Sequence, residues 1–317
     1  MLRTIGVKVL LLVPILLLVS IGTFMLVELV PGDPAQQVLG PNSTADDYYR
    51  VRTELGLDKP VLERYANWLG DTVSGDLGRN LVTPIEPVST RLKRAFPVSI
   101  ELAALASLMS LVIAIPVAMW SAYRQGGRFD RFASATAFGM ISLPSFVAGL
   151  LLILMFVIRF QWFETKWVRP TEGGWEQNLK NAFLPAFTIA LNEIAVFTRL
   201  LRGDMSATLQ EDFVLAAKAK GMPARHILFR EALRPSSFSL ITLAGVSLGR
   251  LIGGSLIVET LFNLPGVGKV VIDAATKSDF PIVQAGVLII AVVYVAINTG
   301  IDILYGYLDP RIRRGRS

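Results

Sequence analysis

LAALASLMSLVIAIPVAMWSAY, residues Leu102–Tyr123, is a run of 22 residues without a charged side chain. A helix needs about 20 apolar residues to cross the hydrocarbon core of a bilayer. The chain around this run has 317 residues, of which 52% are hydrophobic and only 18% are charged, whereas soluble domains average about 25% charged residues. The run predicts a membrane-spanning helix, and the composition predicts a polytopic all-α membrane protein.

Five other segments have a similar apolar character. Glu193 and Arg199 interrupt one of them, and Arg250 interrupts another. The five segments are Val9–Val27, Phe132–Ile158, Asn181–Leu201, Pro235–Val258 and Phe280–Ile301. Together with Leu102–Tyr123 they predict six transmembrane helices. The most N-terminal of them, Val9–Val27, is expected to be an uncleaved anchor, because its apolar stretch is longer than the core of a signal peptide.

Lysine and arginine counts in the short loops predict the orientation. With the N-terminus in the cytoplasm, the inner segments hold fifteen of these residues and the short outer loops hold six. Positive charge favours the cytoplasmic side, so we expect a multi-pass protein of the inner or plasma membrane with both termini cytoplasmic. The expected layout is an N-terminal helix in 1–30, an extracytoplasmic region in 31–97, a five-helix core in 98–309 with a cytoplasmic loop at 203–235, and a basic tail in 310–317. In the second region, VLERYANWLGDTV (Val61–Val73) predicts a short amphipathic helix.

The cytoplasmic loop contains EDFVLAAKAKGMPARHILFREALRP, Glu211–Pro235. The alanine-rich and lysine-rich segment Met205–Lys220 lacks proline and glycine, which favours a helix. Gly221 allows the left-handed backbone that ends a helix, and Pro223 suits the first turn of the next one. We expect two short helices joined by a glycine turn, the second ending at Pro235. One face of the first helix is expected to carry Leu209, Phe213, Ala216, Ala217 and Lys220.

Three functions suit such a helical pair. A DNA-binding helix-turn-helix is disfavoured, because acidic residues accompany the basic ones and both ends are tethered to spans. An inert amphipathic connector is disfavoured by the weak apolar face. A docking element for a cytoplasmic protein is favoured, because small alanines and a glycine allow another protein to approach the backbone closely. No nucleic-acid partner is expected.

The loop resembles the EAA loop of ABC importer permeases, with Ala216, Ala217 and Gly221 at the expected spacing and with Glu211 and Asp212, rather than an acid directly before the alanines, at its start. The whole chain resembles the B-type permease of dipeptide and oligopeptide importers. The motifs that carry this resemblance are LVPGDPA at Leu29–Ala35, ELGLDKPVLERYANWL at Glu54–Leu69, GDLGRN at Gly75–Asn80, SLPSF at Ser142–Phe146, VETLFNLPGVGKVVIDA at Val258–Ala274 and YLDPRIR at Tyr307–Arg313.

The resemblance implies a type I ABC importer permease fold with cytoplasmic coupling helices, and a subunit that works by alternating access. It implies a protein in the lipid bilayer with three kinds of protein partner: a homologous second permease, one or two ABC ATPase subunits, and an extracytoplasmic substrate-binding protein. The residues that it implies for coupling to the ATPase are Glu211, Asp212, Ala216, Ala217, Gly221 and Arg225. Ala217 and Gly221 are expected to be close-contact points.

The residues themselves exclude several chemistries. The chain has no cysteine and one histidine, His226, so thiolate catalysis and a histidine-based metal cluster are not expected. The phosphate-binding pattern G-x-x-x-x-G-K-[ST] is absent; Asn263–Val270, NLPGVGKV, comes nearest but lacks the first glycine and the hydroxyl. We expect no catalytic residue, no metal site and no cofactor in this chain, with ATP and Mg²⁺ bound by partner subunits.

Charged residues within spans are costly and mark candidate functional positions. Glu193 and Arg250 are expected to line the translocation pathway or to pair, and a pair that only fixes packing is an equal alternative. Glycines of GVSLGRLIGGS permit close helix contact, or keep a pore wide. The pathway residues predicted on this basis are Glu193, Ser247, Arg250, Gly253 and Gly254. Against the resembled pattern, in which position 250 is small, Arg250 is expected to tune substrate choice.

The alternative function is an ATP-independent secondary transporter or a channel. Such a protein needs ionisable groups deep in several spans, and no inverted repeat is visible. Within the importer interpretation, the substrate could be nickel, haem or a sugar instead of a peptide.

Overall fold

The computed structural model describes residues 2–29, 35, 39, 44–54 and 56–308. The predicted tail 310–317 lies outside these residues, as does most of the motif Leu29–Ala35. The predicted all-α class is confirmed, since the described chain contains helices and no strand. Its helices are α1 Leu2–Leu29, α2 Ala45–Glu54, α3 Val61–Ser74, α4 Val88–Tyr123, α5 Arg128–Ser142, α6 Ser145–Leu152, α7 Pro170–Thr208, α8 Asp212–Ala219, α9 Ala224–His226, α10 Leu233–Gly254, α11 Leu256–Leu261, α12 Val267–Thr276 and α13 Phe280–Leu308, with π-helical segments at Ile153–Arg159 and Ile227–Ala232.

Four helical stretches of the described chain are long and apolar enough to cross a membrane: Val88–Tyr123, Pro170–Thr208, Ala224–Gly254 and Phe280–Ile301. A bent pair, Arg128–Ser142 with Ser145–Arg159, makes a fifth if it is counted as one span. Helix α1 contains a shorter apolar stretch, Leu12–Met25. Four of the six predicted spans fall within single helices: Val9–Val27, Leu102–Tyr123, Asn181–Leu201 and Phe280–Ile301. The predicted span Pro235–Val258 runs past the end of α10 at Gly254 into α11.

The predicted span Phe132–Ile158 is wrong as a single helix. Its two halves meet at an angle of 102°, and the bend lies at Leu143 and Pro144. Leu143 has an extended backbone with φ −89° and ψ 117°, because the residue before a proline is pushed out of the helical region. An uncharged run of sufficient length therefore does not guarantee a straight span.

The chain divides into two compact units, the first formed from Met1–Ser99 and Pro265–Thr299. The predicted amphipathic helix is present here as α3, and it packs on α1. Phe24 contacts Tyr65 edge to face at 5.5 Å between ring centroids, and Arg64 forms an ion pair with Glu28 at 2.7 Å. A separate core of this unit joins the start of α4 to α12 and α13 through Val88, Leu92, Val267, Val271 and Ile282.

The second unit comprises Ile100–Leu264 and Gly300–Ser317. Helix α7 forms its centre, and Phe197, Leu201 and Met205 of this helix are fully buried. Around them pack residues of α4, of the segment Asp212–Ala232 and of α10: Ala114, Ala118, Val214, Ile227, Leu228, Leu240 and Ala244. The polar segment quoted above therefore shares its core with three long apolar helices, α4, α7 and α10.

Candidate functional site

A tight glycine turn joins the two helices of the loop, as predicted. The N–H of Gly221 donates to the carbonyl of Lys218 at 2.9 Å, and the N–H of Met222 donates to the carbonyl of Ala217 at 3.2 Å. These two bonds form a Schellman motif, which satisfies carbonyls at the helix end. Gly221 has φ +71°, the left-handed conformation in which glycine is free of steric penalty. The turn is therefore fixed by backbone geometry.

Helix α8 has a buried side and an exposed side. Val214 is fully buried and Ala217 is 5% exposed, and Val214 belongs to the core that includes Phe197. Ala216 lies on the exposed side, with Phe213 and Leu215. The predicted common face is therefore wrong. Ala217 packs within the chain, so the surface available to a partner at this point is that of Ala216.

The first helix of the loop is also shorter than predicted. Helix α7 ends at Thr208, and α8 begins at Asp212 after a turn in which Glu211 has an extended backbone. The break allows both Leu209 and Val214 to reach the same core. The side chains of Glu211 and Asp212 are exposed, and Asp212 lies in the first turn of α8, where a negative charge is favoured by the helix dipole.

The second arm of the loop does not end at Pro235. Residues Ala224–Gly254 form one continuous helix of 31 residues, which passes through the π-helical segment Ile227–Ala232 before α10. This segment shifts the hydrogen-bond register just before Pro235, so the missing proline N–H falls where the ladder changes. Pro223 stands at the N-cap, and the Arg225 side chain is exposed. The exposed arm and the predicted fifth span are thus one element.

A buried carboxylate, which no sequence motif predicted, connects two helices beside the loop. Asp130 of α5 accepts hydrogen bonds from Nε and Nη2 of Arg202 at 2.5 and 2.7 Å. It also accepts from Ser121 and from the N–H of Gly126. The available sequence signal was an acid and an arginine near the same predicted membrane boundary, on segments 72 residues apart.

The two predicted intramembrane charges pair with each other. Nη2 of Arg250 donates to Oε1 of Glu193 at 2.6 Å, and it lies 3.4 Å from Oγ of Ser247. The side chain of Glu193 is 3% exposed and that of Arg250 is 56% exposed. Gly253 and Gly254 follow one turn later on α10 and are part-buried and exposed, respectively. Three of the five predicted pathway residues are therefore in contact.

Two family models match the chain and together cover most of it. Residues 114–314 match the binding-protein-dependent transport system inner membrane component, and residues 1–103 match the N-terminal part of such membrane components. The chain belongs to this family. It is therefore a permease subunit and a multi-pass inner-membrane protein. The resemblance stated from the sequence is confirmed.

Named relatives match this permease over nearly its whole length. The oligopeptide transport system permease protein AppB of Bacillus subtilis is 34% identical over 302 residues, with 95% of this chain and 96% of the relative covered. The di/tripeptide transport system permease protein DppB of Pseudomonas aeruginosa is 32% identical over 331 residues, covering 96% and 97%. A glutathione transport system permease protein, GsiC of Escherichia coli, is 31% identical over 302 residues, covering 95% and 96%.

Proposed function

We propose that this permease forms half of the translocation pathway of an ATP-driven importer of peptides. The names of the relatives support the substrate class, since they transport oligopeptides, di- and tripeptides, and glutathione. A homologous second permease supplies the other half, an extracytoplasmic binding protein delivers the substrate, and one or two ABC ATPase subunits bind and hydrolyse ATP with Mg²⁺. The rival secondary transporter or channel has no comparable support.

The exposed part of the loop is the proposed contact with the ATPase. Glu211, Asp212, Ala216, Gly221 and Arg225 are all exposed. The observation that carries the proposal is the continuity of the helix Ala224–Gly254. Because the arm and the span are one helix, a displacement of the arm moves the span as a rigid body. Closure of the ATPase would thereby be converted into alternating access.

The proposed layout follows the charge distribution. Both termini and the loop 203–235 face the cytoplasm, region 31–97 faces outward, and 98–309 forms the permease core. The pathway is lined in part by Glu193, Ser247, Arg250, Gly253 and Gly254. The contact between Arg250 and Glu193 supports this assignment, because an ion pair within an apolar region faces protein or water in preference to lipid.

A cross-linking experiment tests the proposed contact between the loop and the ATPase. It is simplified because the chain contains no cysteine. Ala216→Cys and Ala217→Cys place a thiol on the exposed and on the buried side of the same helix. Each variant is labelled with a photoactivatable maleimide before the ATPase is bound, and the complex is then assembled and irradiated. We expect the label at position 216 to cross-link to the ATPase, and the label at 217 to react little and to form no such adduct. Equal cross-linking from both positions, or none from position 216 in a complex that still transports, would contradict the proposed contact between the loop and the ATPase.

The orientation and the energy source are tested separately. A membrane-impermeant maleimide should reach Ala216→Cys in inverted vesicles and not in right-side-out vesicles, and the reverse should hold for Trp162→Cys on a predicted outer loop. The permease reconstituted alone should not accumulate any peptide against a gradient. Accumulation by the permease alone would establish the rival function.

A further inference from the structure

The pair formed by Arg250 and Glu193 is strongly asymmetric in burial. Glu193 is 3% exposed, whereas 56% of the Arg250 side chain is exposed. The pair lies between α7 and α10, within two helices that are long and apolar enough to span a membrane. A pair whose function is only to fix packing would have both charged ends enclosed. Here the carboxylate is enclosed and much of the arginine faces outward from the protein surface.

The contact with Glu193 occupies only part of the hydrogen-bonding capacity of the Arg250 guanidinium. Only Nη2 of Arg250 contacts Glu193 and Ser247. A guanidinium has five N–H donors in a planar fork. No described residue accepts a hydrogen bond from Nε or Nη1 of Arg250, so these donors can serve another acceptor. Within the described chain, Oε2 of Glu193 is buried without a hydrogen-bond partner. The carboxylate thus orients the guanidinium from one side and leaves its other edge open.

An arginine that faces the hydrocarbon within a span costs several kcal/mol, so its open edge must meet water, protein or a ligand. The acceptor that best fits a planar guanidinium edge is a carboxylate, through two parallel hydrogen bonds. A neighbouring small surface helps a ligand to approach. Gly254, one turn after Arg250, is exposed, and a Cβ added there would meet no atom within 4 Å.

We propose that Arg250, oriented by Glu193, binds a carboxylate of the transported peptide and so determines substrate preference in the pathway. This inference rests on the proposed function, since it requires a peptide to pass this point. Arg250 is the residue that contacts substrate, and Glu193 is a positioning residue. The same chemistry could be met by a carboxylate of the second permease, which the experiment distinguishes.

The test compares two peptides that differ only in a C-terminal carboxylate or carboxamide, in the complete complex reconstituted in vesicles with ATP. The affinity of the binding protein for both peptides is measured separately, and uptake is measured with saturating loaded binding protein. The wild type should transport the carboxylate form faster. Arg250→Gln should reduce this acid-to-amide ratio by more than about tenfold, because the loss of one charge-assisted hydrogen bond already costs about tenfold and the guanidinium edge makes two. Arg250→Lys should retain part of the preference.

Glu193→Gln should reduce the ratio less than Arg250→Gln, because it loosens the guanidinium without removing it. Arg199→Gln provides the matched control, since Arg199 is also an arginine of a candidate membrane-spanning helix, here α7, but its guanidinium stacks on Phe138 at 4.6 Å. The acid-to-amide ratio of this variant should equal that of the wild type. ATPase activity of each complex confirms assembly.

The outcomes separate the two levels of the proposal. An unchanged ratio in Arg250→Gln, or an equal loss for both peptides, overturns the carboxylate site and is the result expected if Arg250 pairs with the second permease. A wild-type complex that transports neither peptide overturns the proposed function itself.

Discussion

Arg202 donates two hydrogen bonds to Asp130, from Nε and Nη2 to the two carboxylate oxygens. Asp130 is buried, and it also accepts hydrogen bonds from Ser121 at the end of α4 and from the N–H of Gly126. Arg202 lies two turns before the end of α7 at Thr208. One carboxylate therefore fixes the turn between α4 and α5 against the helix that leads into the loop.

Asp130→Asn is expected to destabilise the permease by about 1.5–3 kcal/mol, the usual contribution of hydrogen bonds to charged groups. An amide keeps one oxygen acceptor, but its NH₂ group faces an arginine donor. The thermal unfolding of the purified complex measures the change.

The control is the same chemical change at an exposed ion pair. Arg169 and Glu172 approach to 3.8 Å with both side chains at least half exposed, and such pairs contribute little. Glu172→Gln should leave the unfolding midpoint unchanged. A shift as large as that of Asp130→Asn would mean that the pair of Asp130 and Arg202 has no special role.

Gly221 is expected to tolerate asparagine and to reject valine. Its φ of +71° strains any residue with a Cβ, by about 1–2 kcal/mol in general, but asparagine adopts this conformation with less penalty than a β-branched residue. A Cβ would meet no atom of the described chain within 4 Å. Gly221→Val should lose the ATPase on co-purification, whereas Gly221→Asn, which preserves the turn, should retain it.

Gly126 provides the comparison for this experiment. It has φ +77° and equally open space around its Cα, and it lies in the turn after α4. Gly126→Val carries a similar backbone strain, yet the ATPase should remain bound. Normal assembly of Gly221→Val would show that the glycine turn is not needed for docking.

Local features of the loop were predictable from sequence, and its packing was not. The Schellman turn depends on Gly221 and its immediate neighbours, so a short pattern was sufficient. The buried side of α8 depends on a break at residues 209–211 that satisfies a distant core, and helical periodicity cannot locate such a break. Pro235 predicted a helix end. The helix nevertheless continues through it, because the π-helical segment before Pro235 shifts the hydrogen-bond register where the proline lacks an N–H.

Tertiary pairs divide in the same way. Glu193 and Arg250 were identified because charge within an apolar run is rare, and because they lie on two predicted spans of opposite direction at similar depth. Asp130 and Arg202 lie at helix ends among many other charged residues, where nothing in the sequence distinguishes a buried carboxylate from an exposed one.

Glycines of α10 should respond in opposite directions to the same substitution. A Cβ at Gly245 would lie 2.8 Å from the Ile301 side chain, whereas a Cβ at Gly254 would meet nothing within 4 Å. Gly245→Ala should therefore destabilise the permease by about 1–3 kcal/mol through overpacking. Gly254→Ala should leave its stability unchanged or raise it slightly. These results would assign packing to Gly245 and an open surface to Gly254; the opposite order of unfolding midpoints would contradict both assignments.

Asp279 is expected to make the first unit less stable as the pH rises. Burial raises the pKa of its carboxyl, although the backbone N–H groups of Leu81 and Val82, and the more distant charges of Arg91 and Lys277, lower it in part. A carboxyl with a raised folded-state pKa favours the folded state fully below its unfolded-state pKa, about 3.9, and this stabilisation is lost as the pH rises through the folded value.

Two variants separate the charge of Asp279 from its hydrogen bond. The N–H of Leu81 donates to Oδ1 of Asp279 at 3.0 Å, and asparagine preserves this acceptor without a buried charge. The thermal unfolding midpoint of Asp279→Asn minus that of the wild type should therefore increase between pH 4 and pH 7. Asp279→Ala leaves the Leu81 N–H without its acceptor and should cost about 1–3 kcal/mol. If Asp279→Asn instead loses stability relative to wild type as the pH rises, the carboxylate is stabilised by its surroundings, and the balance between burial and its donors must be reversed.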